Sequence, residues 1–170
     1  FVDIINNDLA NTIGNLLNRT SSMSRKWFDN KTPLILNHDS NEISRLSKEI
    51  VQRYLYHFDN YKIDKALNEI LSYAISVNLY LNEKEPWKLI KDENNINDVK
   101  IIIYNVLEAT RIIGLLLQPI LPELSLKISS QLGDLSFING NWIKKLEWGL
   151  LPFSSDLPAP MPIMNKLDYE

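Results

Sequence analysis

Asn15 and Arg19 lie one helical turn apart in the stretch NLLNR, and neither falls on the apolar stripe of the helix that carries them. At 100° per residue, Leu9, Ile13, Leu16, Met23 and Trp27 gather on one face. Asn11, Asn15, Arg19, Ser22 and Lys26 form a second stripe about 120° away. This second stripe is rich in hydrogen-bonding groups and contains no carboxylate. Two readings fit it: a solvated face, or a surface for a ligand rich in acceptors, such as a phosphate or a base edge. Pro86-Trp87 raises a similar pair of readings. The dipeptide is either a helix end followed by a core tryptophan, or an aromatic platform on a stiff corner, since proline fixes its own φ and restricts Glu85 before it. On the second reading the indole is expected to be exposed, and an exposed indole can stack on an unpaired base, worth ~1–3 kcal/mol.

Other chemistry is poorly supplied. His38 and His57 are the only histidines, and neither has further ligands at a useful spacing, so no metal site is expected. No Ser or Thr sits in a nucleophile elbow, and five glycines form no phosphate-binding loop. Asp92-Glu93, the one candidate acid–base pair, lies in a polar loop that suits helix capping. Nothing in the residues supports catalysis by this chain. The 170 residues suffice for a domain with a real core, and 45% are hydrophobic. The net charge of -3 argues against a basic coat for general nucleic-acid binding but leaves room for a local patch. The absence of cysteine removes disulfides and thiolate metal sites and fits a cytoplasmic protein. No apolar run has the length of a membrane span. The opening FVDIINNDLA has no signal-peptide pattern and reads as a helix already under way, so a domain of a longer protein is expected.

The elements that must hold these residues are helices. The first is expected over about Asp3 to Trp27, with Ile5 opening its stripe, Thr20 in a gap of the stripe, and Pro33 beyond its end. A second follows the short polar run Asp39-Ser40-Asn41, with the stripe Ile43, Leu46, Ile50, Tyr54 and Phe58. A third carries Leu67, Ile70, Ala74, Val77 and Leu81 until Pro86 breaks it. A polar loop over Lys91–Asn95 leads to a fourth, with Val99, Ile102, Val106, Ile113 and Leu117. Pro122 can open a short fifth that ends near Gly133. Residues 134–170 change character: they hold two tryptophans and four of the eight prolines, and read as an extended strap ordered by Trp142, Trp148 and Phe153. The expected fold is all-α: an antiparallel bundle of about five helices over 1–133, with an extended C-terminal tail over 134–170 packed on it.

Several segments together resemble a family. NNDLANTIGNLLNRT, ALNEILSYAISVNLYLNEKEPWKLIKDE, LLQPILPELSLKI, WGLLP and PAPMPIMNKL are similar, in order and over nearly the whole chain, to the C-terminal anticodon-binding domain of methionyl-tRNA synthetases, class I aminoacyl-tRNA synthetases. Synthetases for valine, isoleucine, leucine and cysteine share the bundle but not the NLLNR and PW combination. The family's HIGH and KMSKS signatures, its catalytic domain and its metal-binding knuckle have no counterpart here. The resemblance therefore implies a non-catalytic part of a methionine–tRNA ligase whose parent uses ATP and magnesium. The implied partners are the tRNA for methionine and the parent's catalytic domain, with neither DNA nor membrane. It further implies that Asn15, Arg19 and Trp87 contact the CAU anticodon, chiefly its first base, with Pro86 shaping the platform. Arg25 and Lys26 are candidates for phosphate contacts.

The residue types suit that task. Anticodon bases are unpaired and can be read on their edges. Cytosine offers N3 and O2 as acceptors and an amino donor. Arg19 can only donate, whereas Asn15 can donate and accept. Uracil has a donor at N3, which would leave donor facing donor, and an unsatisfied buried group costs ~1–3 kcal/mol. The competing readings are the corresponding domain of another class I synthetase, which a different anticodon preference would favour, and a helical bundle for protein docking, with Trp87 and the proline-rich tail as anchors. The place of the Trp87 ring relative to Arg19 separates RNA binding from docking.

Overall fold

A computed structural model describes residues 2–36, 40–133 and 140–159, the side chains of Val2, Asp3 and Ile5 excepted. Among these described residues seven α-helices follow in order: α1 (Val2–Trp27), α2 (Glu42–Asp59), α3 (Ile63–Lys84), α4 (Pro86–Leu89), α5 (Ile96–Leu117), α6 (Pro122–Gln131) and α7 (Trp142–Lys145). A 3-10 turn over Glu93–Asn95 precedes α5. The five longer helices are those expected from apolar spacing and proline breaks. The additions, α4 and α7, are single turns, too short for any period to show.

The stripes expected of α1, α2, α3 and α5 face the core, with Met23, Trp27, Leu46 and Phe58 only partly buried. In α1, Leu9, Ile13 and Leu16 are fully buried, and Thr20 in the gap is buried too. Its hydroxyl donates to the Leu16 carbonyl at 2.6 Å, so the polar group costs little where it sits. Met23 and Trp27 are half-buried against the core. Ile5 lies outside the described side chains. Asn41 caps α2: its side chain accepts from the N–H of Ile43 and Ser44, and the Ser44 hydroxyl accepts in return from the Asn41 N–H at 2.9 Å. Asp39, in the same polar run, falls outside the described residues.

A turn of three residues joins α2 to α3, and their cross-links fix the direction. Glu42 pairs with Lys84, and Arg53 with Glu69, so the two helices run antiparallel. The central element is α5, where every residue from Ile102 to Leu117 is buried. Helices α1, α2, α3 and α6 all pack against it. The Ser125 hydroxyl donates to the Gly114 carbonyl at 2.7 Å and sets α6 on α5.

The described part of the tail, 140–159, is less extended than the composition suggests. Asn141 caps the single turn α7 with its side chain. Trp142 donates its indole N–H to the Leu115 carbonyl at 2.8 Å, and the Phe153 ring lies 5.3 Å from that of Tyr104. Trp148 is half-buried against the core. Further along, Lys31 and Asp156 form an isolated antiparallel bridge, and the Thr32 N–H donates to the Ser155 carbonyl at 2.9 Å. Gly133 makes that crossing feasible. Its φ is +91°, and a Cβ there would stand 2.7 Å from the Asp156 carbonyl oxygen.

A buried ion pair ties tail to bundle. Glu108 and Arg111 sit one turn apart on α5 and bond to each other. The Arg111 Nη1 and Nη2 each donate at 2.7 Å, to the carbonyls of Lys145 and Glu147. Glu108 accepts from the Leu151 N–H at 2.7 Å. Burial pushes the Glu108 carboxyl up, while the Arg111 guanidinium beside it pulls the other way.

Candidate nucleic-acid interface

The site is assembled from three segments: the C-terminal half of α1, the last turns of α3, and the corner that leads into α4. Helix α3 ends at Lys84 because Pro86 cannot continue it. Glu85 between them adopts the left-handed conformation, φ 49° and ψ 57°. That conformation costs a non-glycine residue ~1–2 kcal/mol, and it swings the chain sharply enough for Pro86 to open α4 as its first residue. Pro86 is buried and anchors the corner. Its neighbour Trp87 is half-buried against the core, which corrects the expectation of a freely exposed indole. One part of the ring packs inward and the remainder stays accessible.

Arg19 meets that ring. Its guanidinium carbon lies 5.4 Å from the ring centroid of Trp87, within cation–π range. The sequence-predicted pair, 68 positions apart, is thus brought into contact. Asn15 stands one turn before Arg19 and is exposed. Arg25 and Lys26 are exposed in the last turn of α1. Of the other candidates, Asp92 caps the 3-10 turn, accepting from the Asn94 N–H at 3.0 Å. His57 lies 3.7 Å from Glu69, and His38 falls outside the described residues. Among the described residues no three His, Cys, Asp or Glu side chains gather as a metal site, and no helix is long and apolar enough to cross a membrane.

Two residues of the cluster escaped the sequence reading. Arg19 donates from Nη1 to the side-chain Oδ1 of Asn78 at 3.4 Å and from Nη2 to the side-chain Oδ1 of Asn82 at 2.9 Å. Both asparagines lie on α3, one turn apart. The signal was present in ISVNLYLNEKEPW, two amides four residues apart just before the PW corner, but nothing there says that they face α1. A cleft of 560 Å³ lies away from this cluster, between α2 and α7, lined in part by Ser44, Arg45, Lys48 and Trp148. It does not include Arg19 or Trp87, and a splayed-out base asks for a flat platform with edge contacts, not for an enclosed cavity.

A helical bundle that offers an arginine-covered indole at the end of one helix, beside a carboxylate-free polar stripe on another, belongs to the class of helical anticodon-binding domains, as comparison with known proteins bears out. A family described as the anticodon binding domain of methionyl tRNA ligase matches residues 35–167, and the chain belongs to that family. The matched span includes Pro86 and Trp87; the relatives extend the similarity through α1. The methionine–tRNA ligase of Synechocystis is 33% identical over 99% of this chain and 34% of its own length. That of Enterococcus faecalis is 35% identical over the whole chain and 26% of its own length. Methionyl-tRNA synthetase from Mycobacterium tuberculosis superposes in its free state with a TM-score of 0.82 at 29% identity, covering 95% of this chain and 33% of that one. The same enzyme bound by methionyl-adenylate gives 0.81 at 30% identity. The chain therefore spans between a quarter and about a third of the length of these relatives.

Proposed function

We propose that this domain reads the CAU anticodon of the tRNA for methionine, with Trp87 as the stacking platform and Asn15 and Arg19 as the groups that read the first base. The observation that carries this reading is the Arg19 guanidinium 5.4 Å over the Trp87 ring. A base stacked beside that indole would have its pairing edge within reach of a pure donor, which favours cytosine, whose N3 accepts, over uracil, whose N3 carries a proton. Family membership supports tRNA as the partner. Pro86 holds the platform, and Arg25 and Lys26, at the end of the same helix, would meet backbone phosphate.

The domain would act within a cytoplasmic methionine–tRNA ligase whose catalytic portion joins methionine to tRNA at the expense of ATP, with magnesium. Among the described residues no three His, Cys, Asp or Glu side chains gather as a site for that metal. Binding of the chain to two anticodon stem-loops, CAU and UAU, at one low salt concentration tests the reading. Tighter binding of CAU is expected. Equal affinities would remove first-base recognition, and binding to neither would favour a protein-docking bundle.

A further inference from the structure

The grip on Arg19 uses a particular kind of acceptor. A guanidinium only donates, so Asn78 and Asn82 must each turn a carbonyl oxygen toward it, at 3.4 and 2.9 Å. The two amides, one turn apart on α3, hold the two terminal nitrogens separately and so limit rotation of the group over Trp87. Among the described residues no carboxylate pairs with Arg19; Glu85, next to the corner, pairs with Lys88 at 3.0 Å. Neutral carbonyls fix the position of the guanidinium without neutralising it. Aspartate at either position would fix it as well, but would spend its charge and put a negative group where RNA must approach.

We propose that Asn78 and Asn82 are positioning residues that hold the Arg19 guanidinium over Trp87 while leaving its full positive charge for the RNA. This inference rests on the anticodon reading above. It makes position 82, the shorter and more exposed of the two contacts, the sensitive one. The charge matters beyond hydrogen bonding, because a positive donor bonds an acceptor about twice as strongly as a neutral one.

The test is binding of the 170-residue chain to the CAU and UAU stem-loops, for Asn82→Asp, Asn82→Ala and Asn78→Ala, each alone and combined with Arg19→Ala, with thermal melts as a control on folding. Asn82→Asp is expected to melt at or above the parent temperature yet bind CAU about tenfold more weakly. Asn82→Ala is expected to lower the CAU over UAU preference several-fold, and Asn78→Ala somewhat less. The effects of the two alanine variants should vanish in the Arg19→Ala background, which a purely structural role for the asparagines would not produce, and that of Asn82→Asp should shrink to the repulsion its charge exerts directly on the RNA. Should Asn82→Asp fail to fold, the two alanine variants decide the matter in the same way. If Arg19→Ala loses the preference while every asparagine variant binds like the parent, the clamp is wrong and the anticodon reading stands. Asparagine effects that persist undiminished without Arg19 also overturn the clamp. If the parent chain binds neither RNA, or Arg19→Ala changes nothing, the anticodon reading fails and the clamp falls with it.

Discussion

At the scale of single side chains, Arg19 and Trp87 touch but should have separable effects. Removing the guanidinium leaves the platform standing. Arg19→Ala is therefore expected to reduce the preference for CAU over UAU by roughly tenfold, with a smaller loss of affinity for UAU, measured by titration of both stem-loops. Removing the indole should act on both RNAs alike, since every base has a face to stack. Trp87→Ala is expected to weaken each by about 1–3 kcal/mol and to leave their ratio nearly unchanged. Because the ring is half-buried, the same change should cost stability too, roughly 2 kcal/mol in chemical unfolding, about half the usual cost of emptying a fully buried tryptophan site. A loss of binding far beyond what unfolding explains is the expected signature. Arg19 and Trp87 could be picked out because their types break the helical pattern and their motifs resemble a family. Asn78 and Asn82 could not, because an amide on a helix is commonplace until a guanidinium from another helix is seen against it.

Elements place these side chains, and their ends are where the sequence speaks most plainly. The five longer helices follow from apolar spacing and from Pro33, Pro86 and Pro122, since proline forbids continuation whatever the tertiary context. The single turns α4 and α7 do not, because four residues carry no period. The corner at Glu85 was legible as a break but not as a left-handed turn, a conformation that sequence alone rarely signals for glutamate. The start of α2 is a more local matter. Asn41 accepts from the N–H groups of Ile43 and Ser44 at 3.0 Å each, and its own amide approaches Asn105 on α5 at 3.4 Å. Asn41→Ala removes the cap and orphans two helix-end donors. It is expected to cost about 1 kcal/mol in denaturant unfolding, with no change in RNA binding, because Trp87 and Arg19 lie on other elements.

For the molecule as a whole, the platform is only as firm as the packing behind it, and that packing depends on charge in an apolar place. Glu108 is fully buried and Arg111 nearly so, within the apolar run IIYNVLEATRIIGLLL of α5. The run announces a central helix, yet nothing in it tells that the two charges meet each other and the backbone of residues 145–151. That pairing depends on where the tail crosses, which the chain order does not reveal. Arg111→Met keeps most of the volume but strips Glu108 of its counter-charge and removes the bonds to the Lys145 and Glu147 carbonyls. A loss of roughly 3–5 kcal/mol at neutral pH is expected. The pH dependence carries a sign. Burial already raises the Glu108 carboxyl above its ordinary value, and without Arg111 only the hydrogen bonds from the Leu151 N–H and the Tyr104 hydroxyl oppose it. A folded-state pKa above the unfolded one means that the folded protein holds the proton more tightly. The resulting stabilisation is complete below the unfolded pKa and is lost as pH rises through the folded one. The Arg111→Met deficit should therefore be larger at about pH 7.5 than at about pH 5, read as the difference in unfolding midpoint from the parent chain at each pH. A deficit that does not vary with pH would mean that the cost lies in the two lost carbonyl contacts and not in the stranded carboxylate.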